Sequence, residues 1–584
     1  MVPRKTQAAI AFVLALLTGC HTDVVEESNP AAPELILTNA RVYTMNWREP
    51  GTDGALSSDA PVDQSGWQPD ASAIVIDDGN IRFVGADADA LEFQGEATRV
   101  VDLRGATVLP GLVDSHTHVF GLGALLDEVN LIGVASEEAA VALVIERAKS
   151  TPKGQWIVGR GWDEGAWAND YPDKLLLSEA VPDHPVMLGS LHGFAAWANQ
   201  AALDAAGITA QTPVPVGGEM QLGEDGKPNG LFLNRGVTLL RDAVPEISAE
   251  VLTKHLLLGL EQMAMDGYTS VHDAGLDSAQ MAVLETLEAE GRLRIRVNAM
   301  LSLRDEPLIE RWLSKGPDKD VGSMLTTRTV KAYYDGALGS RGARLLEDYA
   351  DQPGHRGVSG GDYGFNQALN AQAMQAGFQI AIHAIGDAGN REAIDILEAV
   401  FREHPETLAN RHRIEHAQVL APEDMPRLAQ LGLIASMEPP HAMEDKAWAE
   451  DRLGPQRILG AYAWRTLREA GARLTFNSDN PGSDHSIFYG LHSAITRQDT
   501  DRQPEGGWYP EQRMSIDEAV RAYTSWSAYA SFKEDHVGII EPGRWADLTV
   551  MDIDPFNLAS NSPQDILSGN IVMTVVDGNI VFER

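Results

Sequence analysis

At 584 residues and 63.2 kDa the chain is too long for one ordinary core, and two or three structural units are expected. Hydrophobic residues make up 44%, and the 54 Gly and 30 Pro are scattered rather than clustered, which excludes a disordered or fibrous protein. Asp and Glu number 84 against 46 Lys and Arg, a formal charge of -38 that repels nucleic acid and anionic membrane surfaces and argues against both as partners.

The chain opens on Arg4 and Lys5, an apolar run from Ala8 to Leu17, and then Leu17-Thr18-Gly19-Cys20. That is the layout of a secretory signal, with an apolar run far short of the roughly 20 residues that span a bilayer. Its last four residues resemble a bacterial lipobox, so residues 1–20 are expected to be a lipoprotein signal peptide with Cys20 as the lipidated residue. His21, not Asp, follows the cysteine, which points to the outer membrane, facing the periplasm. The lipid is then the sole membrane contact, and with no second cysteine no disulfide can staple the fold. Residues 21–33 are polar and Pro-bearing and read as a linker.

Short β signals follow in ELILTNARVYTM, AIVIDDGNIRFVG and TRVVDLRGATVLPG, with Asp78-Gly79 and Arg104-Gly105 as hairpin turns between strands. The Gly-, Ser-, Asp- and Pro-rich stretch from about 49 to 71 reads as an exposed loop. The style returns at the C-terminus, with another Asp-Gly turn at 577–578. Residues 34–110 and 537–584 are therefore expected to form one small β-sandwich domain from both termini.

The middle of the chain alternates differently. Apolar runs occur at VLPGLVDSH, YTSVHDAG, RIRVNAML, TVKAYYDG, FQIAIHAIG, RIEHAQ, LIASMEPP and RLTFNSDN, with helical stretches between most of them. Eight β runs alternating with helices predict an α/β fold, a (β/α)8 TIM barrel over 111–150 and 251–536. About 150 residues separate the first run from the second. That is too long for a loop, and an inserted lid subdomain over 151–250 is expected after the first barrel strand.

Polar, metal-competent residues fall at the C-terminal ends of these runs, where barrel enzymes assemble their sites. His116 and His118 close the first run two residues apart, so they share a face and can grip one ion. Lys331 lies amid apolar residues of the fourth run, where a charged amine is expensive to bury. A neutral buried amine can capture carbon dioxide to form a carbamate, an anionic ligand able to bridge two cations. His383 ends the fifth run, His416 the sixth and Asp479 the eighth, the last as a carboxylate that can bind metal and accept a proton from water. His272, at the end of the second run, reads as structural.

This set of two His on strand one, Lys on four, His on five, His on six and Asp on eight resembles the amidohydrolase superfamily, over about residues 34 to 584. Within it the chain looks like the YtcJ-like branch, which includes N-substituted formamide deformylases. The branch-level stretches are G-W-D-E at 161–164, L-H-G-F-A-A-W-A-N at 191–199, P-V-G-G-E-M at 215–220, D-G-A-L-G-S-R at 335–341, N-S-D-N-P around Asp479 and E-P-G-R-W-A-D-L-T-V at 541–550. Asn477 stands where a glycine is common, which bears on loop shape more than on chemistry.

The resemblance implies that His116, His118 and Asp479 hold one metal and His383 and His416 another, with carbamylated Lys331 bridging; some relatives keep one ion. Zinc suits these ligands best, and iron, manganese or nickel fits the same set. The resemblance further implies hydroxide attacking an amide-type carbonyl of a small molecule, with Asp479 passing the proton to the leaving nitrogen. Lid contacts to substrate are expected from Trp162, Asp163, His192 and Glu219, and His441 lies close enough to the seventh run to touch the pocket. The reading is a hydrolase of a non-peptide carbon-nitrogen bond, N-acyl or N-formyl. The alternatives are an esterase, lactonase or phosphoesterase on the same fold, because fold and metal do not choose the substrate, or a non-catalytic solute-binding lipoprotein.

Overall fold

The computed structural model describes residues 32–162, 167, 171–190, 195–215, 218–245 and 247–584. Residues 1–20, expected to be a signal peptide ending at Cys20, lie outside the described residues. Eight parallel strands form the central sheet: β1 (Leu112–Thr117), β2 (Tyr268–Leu276), β3 (Arg296–Ser302), β4 (Leu325–Tyr333), β5 (Gln379–Ala384), β6 (Arg413–His416), β7 (Ile434–Met437) and β8 (Arg473–Phe476). They are the eight apolar runs, in chain order. Every residue of β1, β3, β6 and β7 is buried, as expected of strands covered on one side by helices and on the other by the barrel interior.

Bonds at and just beyond the strand ends tie β8 back to β1. Ser115 Oγ donates to the Phe476 carbonyl at 3.0 Å and Ser478 Oγ to Asp114 Oδ2 at 2.6 Å. The Asp479 and His118 amides donate to the His116 and Asn480 carbonyls, each at 2.9 Å. The same bonds hold His116, His118 and Asp479 against one another.

Between β1 and β2 the chain builds a six-stranded sheet whose first strand is Val129–Asn130, paired parallel with Ile157–Trp162. The helix Glu137–Ser150, capped by Ser136, packs Ala140, Val141 and Val144 into the same apolar cluster as Trp162 and Trp197. The inserted unit therefore begins at Val129 and not at 151: a two-residue strand has no periodicity to read, and the helix after it is amphipathic like any barrel helix.

Two further sheets come from the chain ends. One joins strands of residues 35–38, 73–77, 80–85 and 99–102; the other joins 41–42, 107–110, 548–551, 571–576 and 579–583. They share one apolar core, in which Leu37, Ile74 and Ile76 meet Val108, Val550 and Val575. Asp78-Gly79 and Asp577-Gly578 are left-handed at both positions, with φ of 49° and 72°, and 51° and 73°, as a two-residue hairpin requires. Arg104-Gly105 adopts the same pair of angles, yet it joins strands of different sheets and is no hairpin. The 49–71 stretch is mostly exposed, as its composition implies, and is anchored by Trp67, buried against Phe556.

Candidate metal centre

His116 and His118 leave β1 on the same side, and Asp479 reaches them from the segment after β8. Asp479 Oδ1 is 3.4 Å from His116 Nε2 and 3.1 Å from His118 Nε2. Lys331, in β4, brings its Nζ to 2.9 Å from the same His116 nitrogen. The His416 ring centroid lies 5.2 Å from that of His116 and 4.4 Å from that of His383. All six metal-competent residues picked from the sequence thus converge at the C-terminal mouth of the barrel. Donor atoms of His116, His118 and Asp479 lie within 4.8 Å of one another. His416 and Asp479 hold left-handed backbone, φ 72° and 51°, a strain that concentrates at functional positions and persists only where surrounding bonds enforce it.

The electrostatics suit a cation. Burial lowers the His116 imidazole to about 4 and His383 well below the usual range, so both stay neutral and keep a lone pair. Burial works against ionised Asp479, but His118, His116 and His416 around it hold its carboxyl well below the usual carboxylate range. Burial also brings the Lys331 amine down to about 8. His383 Nε2 and Asp479 Oδ1 are buried without a hydrogen-bond partner. Buried lone pairs with no proton to accept are costly, and a divalent ion relieves that cost with these N and O donors. The residues fit the metal.

Behind the ligands stands a layer that the sequence reading passed over. Glu415 Oε2 takes His116 Nδ1 at 2.5 Å, which fixes the tautomer and leaves Nε2 facing the cluster. Burial alone would raise the Glu415 carboxyl, but Arg413 and His116 hold it far below its ordinary range. Arg413, fully buried, binds both oxygens of Glu415 at 2.8 and 3.0 Å, and donates to His272 Nδ1 and the Ser115 carbonyl. The signal was present: Arg413 and Glu415 sit two apart in a β run, on one face, where an apolar pair would otherwise stand. Glu438, at the end of β7, is a counterpart, with Oε2 3.2 Å from His416 Nδ1 and 3.7 Å from His441 Nδ1.

The lid residues fare differently. Trp162 is fully buried, its indole N–H on the Leu188 carbonyl at 2.8 Å, and it packs near Trp167 in the core of the inserted unit, with no surface left for a substrate. Its expected substrate contact is corrected on that ground. Asp163 and His192 lie outside the described residues. Glu219 is exposed on Gly218–Leu222, the edge strand of the inserted sheet. His441 stands beside the cluster, with Nε2 3.2 Å from Asp445 Oδ2; burial opposes its charge, but Asp445 and Glu438 raise it to about 10.

A nearly closed ring of parallel strands with metal-competent His, Lys and Asp at its C-terminal rim defines a class of hydrolase. Residues 99–582 match the model of the amidohydrolase family, and the chain belongs to that family, as a metal-dependent hydrolase of its YtcJ-like branch. It is 32% identical to the protein YtcJ of Bacillus subtilis, over 88% of this chain and 96% of that one. It is 27% identical to the N-substituted formamide deformylase of Arthrobacter pascens, over 88% of this chain and 95% of that one. A crystal structure described as an uncharacterized metal-dependent hydrolase from Pyrococcus horikoshii superposes with a TM-score of 0.70 at 26% identity, over 90% of this chain and 99% of that one.

Proposed function

We propose that the protein hydrolyses a non-peptide carbon-nitrogen bond of a small molecule, an N-acyl or N-formyl amide. The observation that carries the reading is the convergence of six ligand residues on one point, with Asp479 able both to hold an ion and to move a proton; the resemblance to a formamide deformylase directs it to nitrogen. His116, His118 and Asp479 would hold one zinc ion and His383 and His416 a second. Lys331 lies between them: its amine adds carbon dioxide to give an N-carboxylate and a released proton. When bound, a divalent ion supplies Lewis acidity that acidifies water and polarises a carbonyl. Asp479 accepts the proton of the attacking water and returns it to the departing nitrogen, so that an amine and a carboxylic acid leave. Glu415 keeps the His116 ring in its working tautomer.

The test is turnover of a panel of N-formyl and N-acyl amines against matched esters, lactones and phosphoesters, before and after metal removal and zinc return. Amide turnover that is lost with the metal and restored by zinc supports the reading. Turnover confined to esters, lactones or phosphoesters overturns it, as does amide turnover indifferent to chelation.

We also infer that Cys20 carries a lipid anchor to the outer membrane, supported by the Leu17–Cys20 motif. Cys20→Ala has no other cysteine to modify and should leave the membrane fraction; membrane partitioning unchanged from wild type refutes the anchor.

A further inference from the structure

Arg304 stands two residues beyond β3, at the barrel mouth. The preceding amide, of Leu303, donates to the Lys331 carbonyl at 2.8 Å, which seats this turn directly against β4. The guanidinium lies over the ring of Tyr333, the last residue of β4, 4.2 Å from its centroid, and 5.2 Å from the centroid of Tyr363. One N–H donates to the Tyr363 carbonyl at 3.1 Å. Among the described residues no carboxylate lies within ion-pair distance of it. Tyr333 also touches the metal-competent cluster: its centroid is 5.0 Å from Lys331 Nζ and 5.9 Å from the His383 ring. Its hydroxyl fills the space that a side chain at Gly275 would need, 2.3 Å from where a Cβ would stand. One aromatic ring thus separates an unpaired guanidinium from the ligands.

We propose that Arg304, stacked on Tyr333 and Tyr363, is an anion-recognition site at the barrel mouth, and that the substrate carries a carboxylate that docks there while its scissile bond lies over the metal cluster. Stacking fixes the plane of the guanidinium in advance, so less freedom is lost when its remaining N–H donors bind. A planar two-donor edge matches a carboxylate in bidentate fashion, and a single cation balances a single negative charge. In a chain of net charge -38, an unpaired cation beside the site is also a local attractor for an anion that the surface at large repels. The anion site stands on its own geometry. That the anion belongs to an amide substrate rests on the reading under Proposed function.

The experiment uses the metal-loaded full-length enzyme and matched probe pairs. N-formyl- and N-acetyl-phenylalanine are set against N-formyl- and N-acetyl-phenethylamine, and O-acetyl-phenyllactate against phenethyl acetate. Binding is read by calorimetry and kcat and KM by product release, for wild type, Arg304→Gln and Arg304→Lys. Expected is a preference for the carboxylate member of roughly tenfold or more in binding and kcat/KM, expressed mainly in KM. Arg304→Gln should shrink that preference roughly tenfold, with Arg304→Lys between, since lysine keeps the charge and loses the fork. The proposal is overturned if wild type binds the neutral members as well as the charged ones, or binds neither. It is equally overturned if Arg304→Gln weakens both members alike, as a residue that only supports the Tyr363 loop would do. If the carboxylate preference appears on the esters while no amide is turned over, the anion site holds and the carbon-nitrogen reading falls.

Discussion

Lys331 is 1% exposed, with His116 Nε2 at 2.9 Å from its amine. A bare amine there faces neutral imidazoles and two ligand sets that call for negative charge, which is the physical case for a carbamate. Lys331→Ala is expected to lose metal from at least one site, and acetate or propionate at high concentration to restore part of the activity by supplying the missing carboxylate. Metal content and rate equal to wild type would sink the carbamate, since a buried lysine that bridges no ion can be lost without taking metal with it. His412 titrates for a different reason. Its ring is buried at the base of β6, with Nδ1 accepting the Ile380 amide at 3.0 Å and Nε2 donating to the Thr407 carbonyl at 2.9 Å. Burial lowers it to about 4, so the folded chain keeps it neutral where an unfolded chain, with a pKa near 6.5, takes up a proton. Its contribution is complete above about pH 6.5 and is lost as pH falls toward 4, by an amount of about 3 kcal/mol. His412→Gln, which can still accept and donate, should flatten the fall of thermal stability across that window; an unchanged pH profile would remove His412 from the account.

The helices Val119–Asp127 and Ala249–Met265 flank the inserted unit, and the chain enters and leaves it through them. They meet at two glycines: a Cβ on Gly123 would lie 1.7 Å from the His255 carbonyl oxygen, and one on Gly259 would lie 2.3 Å from that of Val119. Both obstacles are backbone, which cannot turn aside as a side chain can. Gly123→Ala should therefore force the helices apart at a cost of about 1–3 kcal/mol, lowering the thermal midpoint. Because the first of these helices starts right after His118, metal affinity should fall with it, and a variant with both unchanged would show that the crossing has slack. In the sequence, Gly123 and Gly259 look like ordinary weak points of a helix. What they approach lies more than a hundred residues away, which no local pattern encodes.

Arg296 opens β3 and is 1% exposed, yet its partners belong to the terminal β unit. Asp547 takes its Nε at 2.7 Å and Nη2 at 3.1 Å, Asp577 takes Nη2 at 3.2 Å, and the guanidinium lies 4.2 Å from the Trp545 ring centroid. Asp547→Ala leaves that cation buried beside one half-exposed carboxylate, and the expected loss is about 3–5 kcal/mol in denaturant unfolding. The paired change Arg296→Met with Asp547→Leu should recover most of it, because no charge is then stranded. If the single variant unfolds like wild type, the barrel and the terminal unit are not coupled through this contact.

The sequence by itself determined which segments become barrel strands and which side chains end them. Alternation, apolar runs and the H-x-H spacing are local signals, and a parallel barrel puts the ends of successive strands at one mouth whatever the details. For the same reason Asp78-Gly79 and Asp577-Gly578 were legible as hairpins. Tertiary structure alone decided what those side chains meet. The bond from His116 to Glu415 spans 299 residues, and it exists because β1 and β6 face each other across the barrel. The seat of Arg304 on Tyr333 depends on the register of β3 against β4, and that of Trp162 on how the inserted sheet folds over its helices. Register and closure are properties of the assembled sheet, absent from any single strand, and they bring six separate metal-competent residues to one mouth.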